Sequence, residues 1–203
     1  MSFKTILVHC DASPRLSQRL DVAVDLAQHH EAHLVGAYLQ APMDVPAFAG
    51  GVMLMHDFFA SYEASAKAEH DTAAAAFTKA LKGTHQPNEW RVAKGYPESE
   101  LAIQARYADL LVVGQADPEG EYLTPPDLPE SLAISTGRPT LVIPLIGVRS
   151  KPGKTVMLCW NASRESARAA AEALPFLVAA DQVIVLTVDA KETVVAPGRC
   201  CRR

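Results

Sequence analysis

Cysteine, strong net charge and long apolar runs are all scarce in this chain of 203 residues, and each shortage removes a class of protein. Its four cysteines are too few and too scattered for a disulfide framework. Cys10 and Cys159 end apolar runs, while Cys200 and Cys201 are neighbours in a basic tail and cannot easily bridge each other. A formal net charge of −4 gives no electrostatic reason to expect a nucleic-acid partner. No window reaches about 18 apolar residues without charge, so no membrane span is expected. The opening MSFKTILVHC enters a strand pattern at once, without the basic, apolar and small-residue order of a signal peptide. That makes the cytoplasm the expected compartment. Also missing are a P-loop G-x-x-x-x-G-K-[ST], a G-x-S-x-G nucleophile elbow and an evident acid–base pair, which ranks enzyme readings last.

What is present is ordinary globular material, 49% hydrophobic and 21% charged, enough for one full core and part of a second. TILVHC, AHLVGAYL, EWRVAKG, DLLVVG and PTLVIP read as five short strands rich in branched residues. Between them lie segments of helical spacing. Leu16, Leu20, Ala23, Val24 and Ala27 mark the first, with Ser13 as expected N-cap and Pro14 in the first turn. An alanine-rich helix is expected from about His56 to Lys82, stopped by Gly83. Shorter helices open at Pro97 and around Asp127. This alternation predicts an α/β fold: an open, mostly parallel five-stranded sheet with helices on both faces.

The chain then repeats itself. The run from Lys4 can be laid on the run from Lys154, matching Thr5 with Thr155 and Ala12-Ser13 with Ala162-Ser163 at a constant offset of 150 as far as the second strand. Such self-similarity marks a duplicated domain. The expected organisation is a complete domain over 1–146, a linker over 147–153, a partial β-α-β second copy over 154–190 and a tail over 191–203. A unit as small as that second copy cannot bury a core alone, so it is expected to pack on the first domain or on another chain.

KTILVHCDASP, the long helix after a proline-bearing loop, ARYADLLVVGQAD and the closing GRPTLVIP together resemble the universal stress protein family, in its tandem form with a truncated second copy. The resemblance covers the first copy and the start of the second. It implies dimer-like pairing of two such domains and a role in stress tolerance, with ATP bound by some members and not by others.

Members that bind ATP carry an aspartate at the end of the first strand, and Asp11 matches it. By resemblance its carboxylate accepts from the adenine amino group and backbone from His9 through Cys10 to Asp11 lines the base. Where such members offer a small aliphatic residue on the second strand, this chain has Tyr38, which would crowd or stack on the base. The family's phosphate loop resembles G-x2-G-x9-G-[ST], with glycines that let backbone N–H groups approach phosphate. Here Gly114, after Val113, holds the first place, Asp117 replaces the second glycine, and the third falls at Pro126 or Asp127. Asp117, Glu119 and Glu121 would set carboxylates beside a polyanion, and two prolines cannot donate. No lysine or arginine lies between Gly114 and Arg138 to offset them. A site built for ATP phosphates is therefore not expected, and neither a cofactor nor a metal is.

The remaining candidates have plain structural explanations. His29, His30 and His33 suit a helix C-terminus better than a metal. His9 and Cys10, as strand neighbours, point to opposite faces. Trp90 and Trp160 are core or interface anchors. Three functions stay open: a stress-response module binding a small molecule or protein partner without turnover; an ATP-binding form with weak hydrolysis; and an enzyme of the adenine-nucleotide hydrolase type. A homodimer is expected, because in the arrangement that the resemblance implies PTLVIP is a sheet edge where the fifth strands of two domains meet.

Overall fold

A computed structural model describes residues 2–42, 52–117, 125, 127–148 and 152–188, with the backbone alone for 52–57. The chain divides into two compact units, Ser2–Lys151 and a second that begins at Pro152.

Among the described residues of the first unit, five strands and four helices alternate: β1 Thr5–Cys10, α1 Leu16–His30, β2 His33–Gln40, α2 Val52–Ala80, β3 Asn88–Lys94, α3 Pro97–Ala105, β4 Leu110–Gly114, α4 Leu128–Ser135 and β5 Thr140–Ile143. All strands pair in parallel, in the order β3-β2-β1-β4-β5. Parallel strands need crossover helices, and these cover both faces, as the buried runs of β1 and β4 require. Leu7, Val35, Leu111 and Val113 face a layer of Leu101, Ala105, Leu128 and Leu132 from α3 and α4. On the other side α1 packs against α2. Because β1 stands mid-sheet with β2 on one flank and β4 on the other, the order reverses between β1 and β4. Their C-terminal ends frame the crevice where ligands bind in open α/β sheets.

Helix ends depart from expectation at α1. The helix begins at Leu16, and Ser13, Pro14 and Arg15 form a turn before it. The Arg15 N–H donates to Ser13 Oγ at 3.1 Å and the Leu16 N–H to the Ser13 carbonyl at 3.0 Å. Ser13 thus caps a turn ahead of the helix rather than the helix itself, since its hydroxyl is used by a residue two along. Helix α2 ends as expected before Gly83, whose φ of 82° suits glycine.

The second unit contains β6 Thr155–Cys159, α5 Arg164–Glu172, α6 Leu174–Ala179 and β7 Gln182–Leu186, with β6 and β7 parallel. Where the first unit has one helix between its first two strands, this one has two, divided at Ala173, because Pro175 carries no N–H for an unbroken helix. Ser163 is a true N-cap here, its hydroxyl accepting the Ser166 N–H. The repeat also slips. Thr5 pairs with His33, but Thr155 pairs with Gln182, so the offset is 150 on the first strand and 149 on the second.

Candidate functional site

Strand β1 and the residue that follows it bring His9, Cys10 and Asp11 to the crevice. A cavity of about 310 Å³ lies at the strand ends, walled by His9 and Asp11 after β1, by Arg15, Gln18 and Arg19 of the α1 entry, by Gly114 to Asp117 after β4 and by Ile143 to Leu145 after β5. Gln115 Oε1 accepts the Leu145 N–H at 3.1 Å, tying the β4 and β5 ends together. A second, smaller hollow of about 40 Å³ lies toward β2, with Cys10 and Tyr38 in its wall. His9 and Asp11 border both.

Asp11 is the polar centre. Its Oδ1 accepts the Ser13 N–H at 3.1 Å, an Asx turn that fixes the carboxylate. Arg19 Nη2 donates to Oδ2 at 3.1 Å and Nη1 to Oδ2 at 3.2 Å, while Nη1 also reaches the His9 carbonyl at 2.7 Å. Burial pushes the Asp11 carboxyl up, but the Arg19 guanidinium, His9 and the Ser13 N–H together outweigh it and hold it below the usual carboxylate range. Beside it, burial dominates His9 and lowers its imidazole to about 4, so it is neutral near pH 7. Its Nδ1 lies 3.9 Å from Asp11 Oδ2, too far for a hydrogen bond. Burial likewise raises the Cys10 thiol to about 12, so it carries no nucleophilic thiolate.

Tyr38 does not stand free to stack on a base. It is 4% exposed, its hydroxyl donates to the Ala66 carbonyl of α2 at 3.1 Å, and its ring meets His70 edge to face. Packing against α2 has used both ends of the side chain.

The sequence-derived residues thus separate. His9, Asp11, Gly114 and Asp117 come together in the larger cavity, and Cys10 and Tyr38 join the smaller one. Val113 is wholly buried against α3 and α4, and Asp127 precedes α4 without a side-chain capping bond; neither borders these hollows. Pro126, Glu119 and Glu121 lie outside the described residues. Among the described residues no group of three His, Cys, Asp or Glu is placed to hold a metal ion.

Sequence reasoning sought a counter-charge only within the loop and missed α1 and the turn before it, which supply one each. Arg15 and Arg19 are one helical turn apart and both border the cavity. The signal was available: Arg19 falls on the apolar stripe of Leu16, Leu20 and Ala23, where a charged residue requires a partner.

Among the described residues, no helix is long and apolar enough to cross a membrane. None of the curated proteins matches the sequence. Among solved structures, the chain is similar to a universal stress protein from Archaeoglobus fulgidus DSM 4304, at a TM-score of 0.62 and 13% identity over 93% of this chain and 68% of that one. It also resembles UspA from Lactobacillus plantarum, at 0.55 and 19% over 70% and 99% of the two chains. A universal stress protein solved in complex with cAMP is 24% identical over 70% and 98%, at a TM-score of 0.44. The first two likenesses show the fold. The model of the universal stress protein family matches residues 2–121, more than half of the sequence. The chain therefore belongs to the universal stress protein family.

Proposed function

We propose that this protein is a stress-response binding module that holds a compact polar solute in the crevice between the ends of β1 and β4 and does not turn it over. One observation carries the reading: the hollow on the Tyr38 side is only about 40 Å³. At about 10–15 Å³ per water, that is room for a few waters and not for a purine. The open cavity of about 310 Å³ stands at the small end of ligand sites, about 300–1,000 Å³. Absence of turnover is supported by the groups at hand. The Cys10 thiol is held protonated, His9 is a poor base, and the Ser13 hydroxyl is engaged by the Arg15 N–H.

A second reading, adenine-nucleotide binding, is favoured by the placement of Asp11 and Gly114 at the ends of neighbouring strands. The two are separated by purifying the protein without added nucleotide, denaturing it and identifying any released molecule by mass spectrometry. Calorimetry with Mg-ATP, AMP and cAMP follows. The proposal expects no nucleotide in the preparation and no heat on titration. ATP or ADP recovered near one per chain overturns it.

We also infer that two chains pair in the cytoplasm through β5, which stands at the end of the sheet.

A further inference from the structure

Arg19 is only 3% exposed, an unusual place for a guanidinium. Its terminal nitrogens spend their hydrogen bonds inside the protein, on the His9 carbonyl and on both oxygens of Asp11, the longest at 3.4 Å. Gly114 lies directly beneath. A Cβ built there would stand 2.8 Å from Arg19 Nη2 and 3.1 Å from Cζ. An arginine tip normally swings aside from such a contact. This one is tied, and moving it would leave the buried Arg19 and Asp11 charges unpaired and the His9 carbonyl without its donor. Gly114 is therefore the seat of a side chain from α1, whatever else the loop does. Asp11 also borders both hollows, so the group Arg19 holds is the polar wall they share.

We propose that Arg19 is an internal ligand of the crevice and the residue that sets its specificity. Seated on Gly114 and bonded to Asp11, it withholds the carboxylate from cationic or donor-bearing solutes, which would have to displace several charge-assisted hydrogen bonds. Solutes that fit beside the guanidinium without using Asp11 are admitted. This rests on the reading that the crevice binds a small solute.

The test has two arms, both on the full chain. In the first, thermal unfolding is measured for Gly114→Ala, Arg19→Ala and the pair. Alanine at 114 is expected to lower Tm by several degrees in the wild-type background and by less than half as much when Arg19 is absent. Equal losses in both backgrounds overturn the seat. In the second, methylguanidinium is titrated by calorimetry as a compact cationic probe that carries N–H donors and no purine or phosphate. Arg19→Ala, or Arg19→Met where alanine does not fold, is expected to bind at least about tenfold tighter than wild type. Equal affinity, or no binding by any of the proteins, overturns the specificity role. Wild-type affinity for ATP tests the proposed function, whereas the ratio between variant and wild type tests Arg19.

Discussion

Each charge in the crevice is defined by what touches it, and the consequences are measurable one side chain at a time. His9 in the unfolded chain titrates near 6.5 and in the folded protein at about 4. Between those values the unfolded state binds the proton and the folded state does not, so stability rises with pH across that window. The contribution is about 3 kcal/mol in full, lost progressively as pH falls from 6.5 to about 4. Urea unfolding at several pH values is expected to show this slope, and His9→Gln to flatten it. His30, lowered by burial first and then by its neighbours His29 and Lys4, leaves a residual slope of the same sign. Asp11 acts in a lower window: its folded value is depressed, so its stabilisation is complete above the ordinary 3.8 and disappears as pH falls through the folded value. Asp11→Asn removes the charge that Arg19 requires and is expected to cost about 3 kcal/mol at pH 7, read by the same unfolding measurement. Both residues were legible in the sequence, Asp11 by its place after a strand and Arg19 by its place on an apolar stripe. Their mutual contact was not, because it depends on how α1 lies across the sheet.

At the scale of elements, the periodic patterns predicted all five strands of the first unit, and the deviations collect at junctions. Apolar runs of branched residues have a single solution in a doubly covered sheet, so β1 and β4 were plain from their composition. Junctions depend on single backbone angles. Glu31, which ends α1, adopts a left-handed conformation at φ 52°, ψ 44°, a place that favours glycine and where a carboxylate meets the negative end of the helix. Glu31→Gly is expected to raise stability by about 0.5–1 kcal/mol in denaturant unfolding. An unchanged or lowered midpoint would count against strain at this cap. The second unit reaches its second strand with one residue fewer than the first, as the shift of offset from 150 to 149 records. A gapless reading of the repeat could not reveal this, since the slip shows only in which residues pair. Tyr38 teaches the same lesson. Its place on β2 was visible, but its burial against Ala66 and His70 is set by α2, far along the chain.

For the whole molecule, edges and uncovered faces matter more than the crevice. Strand β5 ends the sheet of the first unit, and Val142 on it is 40% exposed. Pairing through this edge predicts a particle of twice 21.8 kDa by light scattering at micromolar concentration. Val142→Lys, which places a charge on the edge, is expected to shift it toward one chain. A monodisperse single chain in the unaltered protein contradicts the pairing. In the second unit, Met157 and Ile184 stand where the first has Leu7 and Val35, yet they are exposed while their counterparts are buried under α3 and α4. Among the described residues, the second unit has no counterpart of α3 and α4.

The bond between Arg19 and Asp11 also bears on time. Because Arg19 donates to the His9 carbonyl and to Asp11 and lies over Gly114, these three residues are held in place ahead of any solute. Under the proposed solute binding, arrival is expected to be governed by diffusion, without a slow rearrangement of these three residues. Affinities in a series of solutes would differ through their rates of departure.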